Sequence, residues 1–226
     1  GHGGTQKTLD LLQRLYYWPG MGKDVATYVQ SCRSCQLNKS DQQKAGGPLN
    51  PVEIPKRFWE CVTMDYVMQL PVTDSGHDAI LVFVDKLSKM THIAPCKSNI
   101  DSLETAKLFR DYVWKHHGFP VKIITDRGST FTGSFTRALC EVPHIHQALS
   151  TSFHPQTDGQ TERMNRIIED VLWHYVNAYH NDWDHYLAMV EFAINNSYQT
   201  SIKMTPFMAI YGQHPHTPAS LQIIDT

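Results

Sequence analysis

A carboxylate stands in the middle of an apolar strand: Asp65, within Cys61-Val62-Thr63-Met64-Asp65-Tyr66-Val67. A bare charge buried there costs several kcal/mol unless something compensates it. A second apolar stretch, Ile123-Ile124-Thr125-Asp126, ends on an acid where the chain turns at Arg127-Gly128. The third acid, Glu162, follows the loop His154–Gln160 in the first turns of a long helical stretch, with 35 residues between it and Asp126. Sites in open α/β sheets gather at the carboxyl ends of strands. A fold that uses all three acids must therefore bring two strands and one helix start together.

Each acid has an ordinary reading alone: Asp126 a turn residue, Glu162 a charge favoured by the helix dipole, Asp65 a buried cap. Brought together, three carboxylates repel one another and call for a cation. An all-oxygen set favours Mg²⁺ or Mn²⁺ over zinc. Two such ions about 3.5–4 Å apart activate an attacking oxygen and stabilise a leaving one in phosphoryl displacement. Asp85 also ends a strand, but Lys86-Leu87-Ser88-Lys89 reads as a turn and gives it a structural role.

Residues 5–18 read as a helix capped by Thr5, with Leu9, Leu12, Leu15 and Tyr16 on one face, broken by Pro19-Gly20. A second short helix places Val25, Tyr28, Val29 and Cys32 on an apolar face. The Lys-, Gln- and Gly-rich stretch 41–56 is a linker. The divisions are a small module at 1–40, a main domain at 57–215 and a tail at 216–226. Within the main domain, strands are expected at 60–70, 79–85, 90–96, 121–125 and 145–150. Helices are expected at 102–116, 132–141, from 159 to about 180, and 183–197. That order predicts a mixed five-stranded sheet with flanking helices.

Cys32 and Cys35 have the spacing of a zinc-ligand pair, and His2 is a third candidate. No strand-then-helix pattern surrounds the pair to support a redox role. Cys61, Cys96 and Cys140 sit among apolar neighbours and read as core. Five cysteines do not make a disulfide framework and suit a reducing compartment. No apolar run is long enough for a membrane span. The net charge of −2 argues mildly against a nucleic-acid partner, but acids that hold metal would be offset by it.

Three segments carry a resemblance: Thr63-Met64-Asp65-Tyr66, Ile124-Thr125-Asp126-Arg127-Gly128-Ser129, and the run Ser152–Arg163, which contains His-Pro-Gln-Thr-Asp-Gly-Gln-Thr-Glu-Arg. They resemble the D,D-35-E core of retroviral and LTR-retrotransposon integrases, and with Asp85–Met90 the gypsy-type branch. The resemblance covers about residues 1–215. It implies an RNase H-like fold and catalytic, metal-holding roles for Asp65, Asp126 and Glu162. It also implies two Mg²⁺ or Mn²⁺ ions, 3′-end processing and strand transfer of element DNA into host DNA. Gly1-His2-Gly3 and Tyr17–Met21 resemble the family's His-His-Cys-Cys zinc module. The first histidine of that module is expected before His2, so His2, Cys32 and Cys35 would form an incomplete zinc set.

Arg127, Arg163, Asn165 and Arg166 are candidate DNA contacts. Arg166 has a second reading, pairing along its helix with Glu162, Glu169 or Asp170. Trp173, Tyr175, Tyr179, Trp183 and Tyr186 read as core or interface, with Trp183, Tyr186 and Met189 on one helical face. His154 and Asp158 shape the loop, and Thr157 with Gln160 has capping-box spacing. The resemblance implies a homo-oligomer acting on DNA in the nucleus after passage through the cytoplasm. Two rivals stand: a ribonuclease H of the same fold, and an inactive DNA-binding or scaffolding relative.

Overall fold

The computed structural model describes residues 4–32, 54–125, 138–139, 159–177, 180–218 and 220–221. Two helices come first, α1 (Thr5–Gln13) and α2 (Met21–Ser31). The main domain begins with strands β1 (Cys61–Val67), β2 (Ala79–Asp85) and β3 (Thr91–Cys96). Helix α3 (Ser102–Phe109) continues through a π-helical turn, Arg110–Trp114, and a last turn, Lys115–His117. Strand β4 (Lys122–Thr125) is followed by α4 (Gly159–Leu172), a 3₁₀ turn (Trp183–Tyr186), α5 (Leu187–Asn195) and α6 (Pro206–Tyr211). Among the described residues no helix is long and apolar enough to cross a membrane.

The described strands form one mixed sheet in the order β3-β2-β1-β4. β1 runs antiparallel to β2 and parallel to β4, with Asp65 opposite Val82 and Met64 opposite Thr125. Alternation along each strand sends side chains to opposite faces, and both faces are covered. Val62, Met64, Leu81 and Phe83 pack with Ala106, Phe109 and Val113 of α3. Ile80, Val82 and Val84 pack with Ile168 and Leu172 of α4, and with Trp183, Val190 and Ile194. Covering both faces explains why β2 is buried throughout and reads as continuous apolar sequence. The expected strand 145–150 and helix 132–141 fall almost wholly outside the described residues.

Edge strand β3 is closed off by side chains of α5. Asn195 donates to Thr91 O (2.8 Å) and accepts from Thr91 N (2.8 Å), Glu191 accepts from Ile93 N (3.0 Å), and Pro95 has no N–H to satisfy. An edge covered in this way offers no template for strand addition.

Several expected boundaries move. α1 stops at Gln13 rather than near Pro19, because Trp18 precedes a proline and the intervening Leu15, Tyr16 and Tyr17 are exposed. Gly4, not Thr5, is the N-cap; it has no side chain to cap with, and its carbonyl accepts from Thr8 N (3.0 Å). Tyr28 is exposed, so the module buries only Met21 and Val25 among its described residues. The helix expected to reach about residue 180 ends at Leu172. There the bonds tighten to Tyr175 N→Leu172 O, and Asn177 then accepts from His180 N (2.7 Å) to form a turn. The next helix begins as 3₁₀, with three residues per turn, so its buried stripe is Leu187, Val190 and Ile194, and Met189 is exposed.

The connection between β1 and β2 is tied to the 3₁₀ turn. Asp184 Oδ2 accepts from Thr73 Oγ1 (3.0 Å) and faces His77 Nδ1 (2.9 Å), and Trp183 Nε1 donates to Pro71 O (2.7 Å). Burial alone would raise the Asp184 carboxyl, but hydrogen bonds from His77, Thr73 and Ser75 outweigh it and hold it below the usual range. A carboxylate depressed in the folded state adds stability above its unfolded pKa, about 4, and loses that contribution as pH falls below it. The melting-temperature gap between the parent and Asp184→Asn is therefore expected to narrow as pH drops from 6 to 3. Thermal melts across that range would refute the assignment if the gap stayed constant.

Candidate active site

Asp65 lies on β1, on the sheet face that α4 covers, because its neighbours Met64 and Tyr66 point the other way. The side chain is half-buried. Its Oδ1 accepts from Tyr66 N (2.8 Å), and its Oδ2 accepts from Asn165 Nδ2 (2.7 Å). Among the described residues no Lys, Arg or His forms an ion pair with it. A half-buried carboxylate held by two neutral donors has lone pairs to spare for a ligand.

Asn165 ties Asp65 on β1 to α4, the helix that carries Glu162 97 residues further along the sequence. It stands three residues beyond Glu162 on the same helix. The helix backbone at Glu162 thus runs beside β1, held there by Met164, Ile168 and Leu172 in the core. Asn165 Oδ1 is buried without a hydrogen-bond partner among the described residues. Asn165, a candidate DNA contact, donates its amide N–H to Asp65.

β4 runs parallel to β1 and ends at Thr125, opposite Met64. Asp126 and Arg127 follow in sequence and lie outside the described residues, as do the side chains of Glu162 and Arg163 and the loop with His154 and Asp158. Arg166 is exposed. Burial and the charge of Asp170 raise the Glu169 carboxyl, and the charge of Arg166, three residues earlier on the helix, pulls it back. In the amino-terminal module, Cys32 is the residue after α2, in an extended conformation. His2 and Cys35 lie outside the described residues, as does Cys140, while Cys61 and Cys96 are buried.

Asp85 has a different setting. It is fully buried, and its Oδ1 accepts from Trp59 N (3.0 Å) while Oδ2 accepts from Ser88 N (2.9 Å) and Ser88 Oγ (2.5 Å). It closes the β2–β3 turn and ties down the entry to β1, as the turn reading of Lys86–Lys89 requires.

Residues 1–41 match the family described as integrase zinc binding domain. The Tf2-3 and Tf2-4 transposon polyproteins of Schizosaccharomyces pombe are each 34% identical over 218 residues, which is 96% of this chain. The chain spans 16% of the length of those polyproteins. Among solved structures, a chain of the simian T-cell lymphotropic virus intasome in complex with PP2A regulatory subunit B56 gamma aligns with a TM-score of 0.60. That match has 19% identity and covers 96% of this chain and 72% of the other. The HTLV-2 integrase catalytic core domain in complex with magnesium, in its trimeric form, aligns with a TM-score of 0.50 at 20% identity, covering 66% of this chain and 94% of that one. The mixed sheet with helices on both faces is the RNase H-like integrase fold. With the zinc-binding match at one end and transposon polyproteins aligned along nearly its whole length, the chain is similar to the integrases of LTR retrotransposons.

Proposed function

We propose that this chain is the catalytic part of an integrase that trims the 3′ ends of element DNA and joins them to target DNA. The observation that carries the reading is the Asp65–Asn165 contact. It sets a strand carboxylate against the helix that bears Glu162, and among the described residues no basic side chain pairs with it. Asp65, Asp126 and Glu162 are the proposed catalytic acids. Their oxygens suit Mg²⁺ or Mn²⁺, which when bound would polarise the attacking and leaving oxygens of a phosphodiester.

Asp65 supplies negative charge at a fixed point, and its backbone is locked between β2 and β4. Asn165 holds the carboxylate in one rotamer, so the acid does not reorganise as charge shifts during reaction. In end processing the oxygen of water attacks phosphorus and the 3′-side P–O bond breaks. In joining, the freed 3′-hydroxyl is the nucleophile and a target-strand P–O bond breaks. Both are in-line exchanges of one P–O bond for another, so neither needs ATP or a covalent enzyme intermediate.

His2, Cys32 and Cys35 are the proposed zinc ligands of the amino-terminal module, and Arg127, Arg163 and Arg166 the proposed phosphate contacts. The reaction would take place in the nucleus, in an oligomer that holds two DNA ends. Incubating the chain with Mn²⁺ and end-labelled duplex DNA is expected to give shortened and joined products that EDTA abolishes. Cleavage of an RNA–DNA hybrid with no action on duplex ends would favour the ribonuclease H reading instead.

A further inference from the structure

On the sheet face opposite Asp65, a histidine pair forms at the end of α3, with a third histidine nearby. His92 of β3 pairs with Phe83, on the face that α3 covers, and His116 and His117 form the helix's last turn. The His92 and His117 Nε2 atoms are 2.9 Å apart. Ring centres are 5.1 Å apart for His92–His117 and 5.9 Å for both His92–His116 and His116–His117. Trp59 lies flat against His117, with ring centres 3.8 Å apart and planes 4° from parallel, and walls off one side.

The fourth participant is Glu191 of α5. Its Oε1 is 2.8 Å from His92 Nδ1, and its Oε2 accepts from Ile93 N (3.0 Å), so the carboxylate is fixed to the sheet edge. A carboxylate takes the proton-bearing nitrogen of an imidazole, which turns the lone pair of His92 Nε2 towards His117. Carboxylate–imidazole pairs of this kind orient metal-binding histidines and make them better ligands.

We propose that His92 and His117, completed by His116, bind a borderline transition cation of the zinc class. Two imidazole nitrogens bound tetrahedrally to zinc at about 2.0–2.1 Å stand roughly 3.3 Å apart, with ring centres roughly 5 Å apart. The ε-nitrogens need to open by only a few tenths of an ångström. The proton between them moves to His117 Nδ1, which leaves a lone pair on each Nε2. Among the described residues no group of three such side chains already stands gathered around a metal position. The built part is the His92–His117 pair with its Glu191 support, and exposed His116, its ring centre 5.9 Å from each of theirs, would have to turn inward to complete it. An ion there would staple the end of α3 to β3, just before the chain enters β4.

The test uses the full chain carrying Cys32→Ser, Cys35→Ser and Asp65→Asn, so that neither the amino-terminal module nor the catalytic acids answer for the metal. Calorimetry with zinc chloride is expected to show one bound ion, and magnesium chloride none at this site. His116→Ala, an exposed substitution, is expected to weaken zinc by about tenfold or more, and Glu191→Gln by about 10–100-fold. Ring-nitrogen NMR resonances of His92 and His117 should shift when zinc is added. No zinc bound, unshifted resonances, or equal affinity in parent and His116→Ala would each overturn the proposal.

Discussion

Asp65→Asn is expected to abolish DNA joining while leaving the metal-free protein at least as stable as the parent. Loss of a single preorganised polar group commonly lowers turnover by about 10²–10³-fold. Removing a proposed metal ligand from a two-ion site should exceed that, so joining should fall by roughly 10³-fold or more. The fold has a ready response to the change. An Asn at position 65 still accepts from Tyr66 N, and its new N–H₂ would meet the Asn165 N–H₂. A half-turn of the Asn165 amide brings its Oδ1, without a partner among the described residues, onto that donor. Relief of a half-buried charge adds stability on the order of 1 kcal/mol, as is common when active-site residues are neutralised. Thermal melts in EDTA and joining assays in Mn²⁺ test both halves. An apo protein destabilised by several kcal/mol would make Asp65 a structural cap, and undiminished joining would remove it from the chemistry.

Asp85→Ala should do the reverse. Its carboxylate is fully buried and receives Trp59 N, Ser88 N and the Ser88 hydroxyl, with Leu87 N at 3.4 Å. Hydrogen bonds to a charged group are worth about 1.5–3 kcal/mol each, and buried donors left without an acceptor are costly. A loss of about 3–5 kcal/mol is expected, a large part of the stability of a domain this size. Chemical denaturation of Asp85→Ala against Asp85→Asn measures it, the amide retaining one acceptor oxygen. A loss below about 1 kcal/mol would show that the turn holds without the carboxylate. Any remaining folded protein should keep its metal-dependent activity, which separates this aspartate from Asp65.

These two aspartates show how far local sequence reaches. Both sit in apolar strands, and the residues after them tell them apart: Lys86–Lys89 spells a turn, which the structure forms, while Asp65 continues into Tyr66-Val67. Strands β1 to β4 and helix α3 were legible because alternation and unbroken apolar runs reflect burial on one face or two. The expected elements omit α6, although its cap and stop are of ordinary kinds. Thr205 accepts from Met208 N (3.1 Å), Pro206 opens the helix and left-handed Gly212 ends it. Helix ends elsewhere were less legible, because at Leu172 and Trp183 the winding changes to tighter turns set by side chains such as Asn177 and Asp182.

The acids and their spacing, the CxxC pair and the division into module and core belong to the sequence alone, since each depends on residue type and separation along the chain. What sits beside what belongs to the tertiary structure. Asn165 meets Asp65 across 100 residues, Glu191 meets His92 across 99, and Asn195 caps Thr91 across 104. No periodicity encodes those contacts. They arise because the sheet buries both faces, which drives α4 against β1 and α5 against β3, and buried polar groups brought there must find partners.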